Sequence, residues 1–250
     1  MNCFQTIQYT IRQGDNLYQL SRYYQTTVQD ILALNPNIDP YNLRVGSIIT
    51  ICPGDRFISS ASASNPPACP NTSMQFDLMG NMREAWIQHV YWTRLLLISI
   101  AEMLGDQDAT TARLLQNPGN IAAIFSNYYS AATANTIEQL LTEHLTIGAD
   151  LITALRDGRT ADAQELTRRW YQNADRMAEA FGSINPYYDP EEVQKMLYDH
   201  LDLTTQEVEA RLADDYQADI EAFNQVEQEV LSMADYFSLG IMQQFPQEFM

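Results

Sequence analysis

QYTIRQGDNLYQLSRYYQTTVQDILALNPNID, residues 8–39, with its complement LRVGSIITI, residues 43–51, decides the fold of the first part of this chain. Gln8 to Arg12 alternate polar and apolar as a half-buried strand does. Gly14-Asp15 ends that alternation and offers a carboxylate as a helix N-cap. Leu17, Leu20 and Tyr24 then share one face at helical spacing, Thr26-Thr27 supplies a second cap, and Val28, Ile31, Leu32 and Leu34 line another apolar face. Asn35-Pro36 stops this second helix. A turn-rich loop over residues 37–42 leads through Gly46 into Ser47 to Ile51, a β-branched run that can pair antiparallel with the first strand. The predicted order is strand, helix, helix, strand.

In this order and spacing, residues 7–52 resemble the LysM family. The resemblance implies binding of N-acetylglucosamine-containing glycan, peptidoglycan or chitin, in a shallow groove between the loop after the first strand and the loop before the last. Carried over position by position, it assigns Gly14, Asp15, Asn16 and Leu17 to one wall and Asn35, Pro36, Asn37, Ile38 and Leu43 to the other. Asn16 stands where the family usually has Thr and keeps a hydrogen-bonding group there. For Asp15 and Leu17 a purely structural task, as a cap and as core, competes with the binding role.

Three cysteines, Cys3, Cys52 and Cys69, all precede the helical body. Cys3 comes before the first strand and Cys52 ends the last, so antiparallel pairing brings the two together and a disulfide is the economical reading. Closing a loop of that length contributes about 4 kcal/mol in the chain-entropy model, which matters in so small a domain. Cys69 is then left for a bond to another chain or for none; three reduced cysteines in a cytosolic protein is the competing reading. The start MNCFQTIQYT has neither the basic residues nor the apolar run of a signal peptide. The resemblance implies one setting that reconciles that start with a wall ligand, deposition on the developing spore, and release by lysis or non-classical export serves equally well. Spore surface or cell envelope is the expected location.

With 250 residues, 46% hydrophobic and 18% charged, the chain is long enough for two globular domains. Charge is divided unevenly between them. Residues 1–55 carry three Arg and four Asp, a net −1, which leaves −17 of the total −18 to the rest, where Lys195 is the only lysine. Nucleic acid and anionic membranes are poor partners for such a surface. No segment approaches the roughly 18 continuous apolar residues of a membrane span. ISSASASNPPACPNTS, residues 58–73, is small, uncharged and Pro-bearing, as linkers are. The predicted organisation is a glycan-binding domain over residues 1–55, a Ser/Ala/Pro linker over 56–76 and an acidic helical bundle over 77–250.

In the bundle, apolar stripes recur at helical spacing: Met82, Trp86, His89, Thr93, Leu96 and Ile100; Ile137, Leu141, His144, Ile147 and Leu151; Leu166, Trp170, Asn173, Met177 and Phe181. Pro190-Glu191-Glu192 opens a helix running to about Leu212, and Asp215 to Gln244 forms the longest. Four or five main helices with short connections are expected, so the whole chain reads as a small α+β domain joined to an all-α bundle.

All three histidines, His89, His144 and His200, fall on apolar stripes of three different helices. Glu143 and Asp199 adjoin two of them, and Glu207 follows His200 by two turns on the same face. Imidazole and carboxylate from facing helices suit a metal site, with His89, His144, His200 and Glu207 as candidate ligands. The bland alternative is hydrogen-bonded core histidine. No phosphate-binding loop, nucleophile elbow or His-Glu-x-x-His motif is present, so no catalytic residue and no cofactor is named. Glu227, Glu229, Asp214 and Asp215 read as solvated helix faces. Adjacent aromatics, Tyr91-Trp92, Tyr128-Tyr129, Trp170-Tyr171 and Tyr187-Tyr188, cannot all point inward and leave some surface for sugar, a second copy or other envelope proteins, though most read as large core residues, and the apolar terminus FPQEFM can dock on a neighbour as easily as on its own bundle. Three functions follow: a non-enzymatic wall or spore-surface protein, a self-assembling filament or coat subunit, and a metal-dependent or wall-modifying enzyme.

Overall fold

The structure, a computed structural model, describes residues 6–12, 15–36, 38, 43–53 and 72–249. The chain divides into two compact units, Met1–Ala68 and Cys69–Met250. Cys3, Cys69 and residues 54–71, most of the expected linker, lie outside the described residues.

In the first unit, β1 (Ile7–Thr10), α1 (Leu17–Tyr23), α2 (Val28–Leu34) and β2 (Ile48–Ile51) follow in the predicted order. β1 and β2 pair antiparallel in the register Ile7 to Ile51 and Thr10 to Ile48. That register turns Ile49 and Ile51 inward, while Ile48 is 64% exposed. Ile11, Leu17, Leu20, Tyr24 and Ile31 complete the core from the two helices and the end of β1. Thr27 caps α2 as expected, its hydroxyl accepting from the Asp30 N–H at 3.0 Å.

Asn35 fastens α2 to the sheet. Its amide donates to the carbonyls of Ile31 and Thr50, both at 2.7 Å, and accepts from the Thr50 N–H at 2.8 Å. Replacing it with Ala strands the backbone groups of Thr50 in a part-buried place, so Asn35→Ala should destabilise the first unit by about 1–3 kcal/mol. Amide hydrogen exchange at Thr50 in the full chain measures this directly.

The second unit is helical. Five long helices, α3 (Thr72–Ala101), α6 (Ala131–Arg156), α7 (Thr160–Ile184), α8 (Pro190–Leu212) and α9 (Tyr216–Gln244), are joined by the short α4 (Gln107–Leu114) and α5 (Asn117–Ser126), with a 3₁₀ turn at Pro246–Phe249. α6 packs on α7, α7 on α8, α8 on α9, α9 on α3 and α3 on α6, which closes a ring of five. α3 starts at Thr72, ahead of the position Asp77 where the apolar periodicity begins. Local chemistry sets the other starts. Ser130 accepts from the Thr133 N–H, Asp189 from the Glu191 N–H just before Pro190, and Asp215 from the Ala218 N–H. The turn between α6 and α7 needs Gly158, at φ +68°.

The three predicted stripes face inward. Met82, Trp86, Ile137, Leu141, Met177 and Phe181 belong to one large apolar cluster, and Leu96, Ile100, Leu145, Ile152 and Val208 to a second. The terminal segment and several of the paired aromatics are spent inside, in keeping with the core reading of most of these residues. Phe249 is 2% exposed and stacks on Tyr128, so the terminal segment docks on its own bundle. Trp170 and Tyr188 are buried, and Tyr129 is tied to Gln244 and Asn185. Tyr91 and Tyr187 stay exposed. No helix among the described residues is long and apolar enough to cross a membrane.

Candidate functional site

Two regions carry chemistry. The first is the pair of loops flanking the helices of the N-terminal unit. Gly14 and Asn37, assigned to the groove by resemblance, lie outside the described residues. Asp15 does not sit on α1 as a cap; Asn16 is the residue before Leu17, and the Asp15 carboxylate turns back to accept from the Arg12 N–H at 2.6 Å. It also holds the Tyr9 hydroxyl, whose pKa is pushed up to about 12, first by burial and then by that hydrogen bond. Leu17 is 3% exposed and belongs to the core, so its side chain packs rather than presents itself. Asn35 is committed to the three internal bonds above. Asn16 is half-buried and Pro36 exposed, while Ile38 and Leu43 are half-buried against the same core that holds Leu17. Both loops therefore rest on one apolar platform.

The second region lies at the centre of the bundle, where α3, α6 and α8 bring His89, His144 and His200 together. Their ring centroids stand 5.8, 5.9 and 6.0 Å apart, and all three residues are at most 4% exposed. One nitrogen of each lies within 4.8 Å of the others. The Nδ1 atoms of two of them bond a polar side chain of another element. His89 Nδ1 bonds Asn117 Oδ1 at 3.0 Å, and Asn117 is itself oriented by donating to the Ala85 carbonyl at 2.8 Å. Oδ1 is thus the atom offered, and His89 carries its proton on Nδ1. His200 Nδ1 donates to Glu229 Oε2 at 3.2 Å. His144 interacts with Asn173, whose amide donates to the Leu140 carbonyl; His144 Nδ1 and Asn173 Oδ1 have no partner in good hydrogen-bond geometry.

Two sequence expectations fail here for one geometric reason. Successive helical residues point about 100° apart, so a neighbouring carboxylate cannot serve the imidazole beside it. Glu143 pairs with Arg176 at 2.6 Å, and Asp199 pairs with Lys195. The carboxylate that does reach a histidine, Glu229, comes from another helix; read from sequence as solvated face, its side chain is only 13% exposed. Glu207 also leaves the cluster. It bonds Arg94 Nη1 at 2.5 Å, beside Asp219, which takes Nη1 at 2.6 Å and Nη2 at 3.0 Å from the same guanidinium. No sequence signal marks Asn117 as the partner of His89.

Burial decides protonation. Desolvation, then the neighbouring His200, lowers the His89 pKa to about 3, and burial likewise drives His144 well below its ordinary value. Glu207 moves the other way, up to about 7, because burial outweighs an Arg94 charge already shared with Asp219. The signs follow from linkage. A histidine depressed in the fold keeps its full stability above pH 6.5 and loses it as pH falls, since only the unfolded chain gains the proton. Glu207, raised from 4.5 to about 7, makes the fold gain stability over the same descent. Below pH 6.5 the two histidines and the carboxylate therefore act in opposite directions, the histidines costing stability as pH falls and Glu207 adding to it. Glu207→Gln should steepen the loss of stability below pH 6.5 in urea titrations of the second unit; an unchanged slope would contradict the assignment.

A cavity of about 30 Å³ opens beside the histidines. Leu96, Leu114 and Val208 of one apolar cluster and Leu151 and Trp170 of the other line it, together with Thr204. Thr204 Oγ1 is buried without a hydrogen-bond partner among the described residues. The space suits about one water-sized ligand.

Comparison with known proteins gives one positive result, for the first unit. The family model described as LysM domain matches residues 9–51. Neither the curated proteins nor the solved structures contain a match to this chain. The strand–helix–helix–strand order, the antiparallel register and the family match agree over the same residues: residues 9–51 are a LysM domain.

Proposed function

We propose that this protein is a wall or spore-surface component held by its LysM domain on N-acetylglucosamine-containing glycan, peptidoglycan or chitin, with the acidic helical unit displayed as a scaffold or interaction domain. The observation that carries this reading is the family match over residues 9–51. Asn16, Pro36, Ile38 and Leu43, with Gly14 and Asn37, supply the contacts to sugar. Asp15, Leu17 and Asn35 shape the two loops from behind, as their internal bonds and burial support. The same reading pairs Cys3 with Cys52. Supporting it, Cys52 directly follows Ile51, whose register partner Ile7 stands four residues after Cys3.

Co-sedimentation with purified peptidoglycan and with chitin tests the division of labour. The full chain should pellet, and a chain lacking residues 1–55 should stay in the supernatant. Equal pelleting of both would place the affinity in the helical unit instead. Self-assembly into a filament or coat draws less support, since the terminal segment and several aromatic pairs serve the bundle itself.

A further inference from the structure

We propose that His89, His144 and His200 form a three-histidine site for one divalent transition-metal ion of the zinc class, bound through the three Nε2 atoms, with a fourth position open to the cavity beside Thr204. This goes beyond glycan anchoring and is independent of it.

Geometry is the first support. Three atoms no more than 4.8 Å apart have a common point within about 2.8 Å (4.8/√3) of each. Zinc–imidazole bonds are about 2.0–2.1 Å, so small side-chain rotations close the shell. The ligands come from three separate long helices, α3, α6 and α8, whose backbones are fixed by the surrounding apolar packing.

Proton placement is the second. The bonds from His89 Nδ1 to Asn117 and from His200 Nδ1 to Glu229 put the protons on Nδ1, leaving Nε2 as a bare lone pair. Among the described residues none donates to a histidine Nε2. The imidazole lone pairs that border the cavity are acceptors without a protein donor, which a cation or ordered water would complete. The unsatisfied His144 Nδ1 and Asn173 Oδ1 would pair if that ring turned toward a shared ion. Asn117 and Glu229 thus do what outer groups of metal sites do, fixing ring orientation and raising ligand basicity, and Asn173 is placed to do the same for His144 once its ring turns. Glu229 also offsets part of the ion's charge.

The open position is the third. Thr204 Oγ1, buried and unpartnered, lines a cavity with room for one water-sized ligand on the ion. Its volume excludes a sugar ring. Water, hydroxide or a comparably small molecule is therefore the class of exogenous ligand, and Thr204 is its hydrogen-bond partner.

The chain contains only three histidines, which makes the test clean. Tag-free, chelator-stripped full chain is titrated with Co(II) and with Zn(II). One equivalent of Co(II) should give the intense visible bands of a four-coordinate site, and Zn(II) should displace it one for one. In unmodified protein, two-dimensional imidazole ¹⁵N spectra should show the Nε2 signals of all three histidines shifting together on Zn(II) addition. This readout needs no variant that fails to fold. Glu229→Gln should weaken Zn(II) binding about 10–100-fold while the three imidazoles remain the ligands. Weak octahedral Co(II) bands, or unmoved histidine signals with metal taken up by surface carboxylates, would overturn the proposal.

Discussion

Arg94→Met should lower the stability of the helical unit by about 3–5 kcal/mol, the cost of leaving buried charge without its partner. One guanidinium lies between Glu207 and Asp219, which are 2% and 1% exposed, and its central carbon sits 4.6 Å from the Phe223 ring centre. Arg211 reaches Asp219 only at 3.4 Å and also serves Glu102, so it cannot take over. A methionine side chain keeps a similar length of apolar stem while removing the guanidinium, so the loss reports the charge and its contact with Phe223. Urea unfolding followed by helical circular dichroism gives the number. Adding Glu207→Gln and Asp219→Asn to the Arg94→Met variant should recover a large part of the loss, because a neutralised pocket no longer carries unpaired charge. A single variant within about 1 kcal/mol of the parent would mean that water reaches this pocket.

Gly240→Ala should destabilise the same unit by about 2 kcal/mol or more, against the usual helical preference for Ala of about 1 kcal/mol. A Cβ on Gly240 would lie 2.0 Å from Tyr188 Cε1 and 2.7 Å from Cδ1. Tyr188 has nowhere to go: its ring is wedged edge-on against Phe237 and Phe181, and its hydroxyl donates to the Phe237 carbonyl at 2.6 Å. Gly80, also helical but facing open space, is the control, and Gly80→Ala should be neutral or stabilising by up to about 1 kcal/mol. In thermal unfolding of the two variants side by side, the midpoint should fall for Gly240→Ala and hold or rise for Gly80→Ala. Parallel shifts would show that α9 slides to make room.

Much of the fold is legible because it follows local periodicity. The stripe Met82, Trp86, His89, Leu96 and Ile100 is buried as its spacing requires, and Thr27 and Pro190 mark helix starts by their own chemistry. What escapes is chemistry between elements far apart in the chain. Arg94 pairs with carboxylates 113 and 125 positions away, and His89 with Asn117 at 28. Nothing along one helix announces which residue of another will face it. Glu229 and Glu207 show the same limit in opposite senses. The first looks solvated and meets a histidine; the second shares a face with His200 yet turns to Arg94. In the N-terminal unit Leu17 and Asn35 fit the resemblance by position, but burial and internal hydrogen bonds show what their side chains do.

Glycan recognition by residues 9–51 is the claim on which the functional account rests, and calorimetric titration of the full chain with N-acetylglucosamine oligomers and soluble muropeptides tests it most directly. The account predicts saturable binding of at least one of these, at one site per chain, lost when Pro36 and Ile38 are both replaced by charged residues while both units stay folded. A correctly folded chain that gives no saturable heat with any oligomer would contradict it.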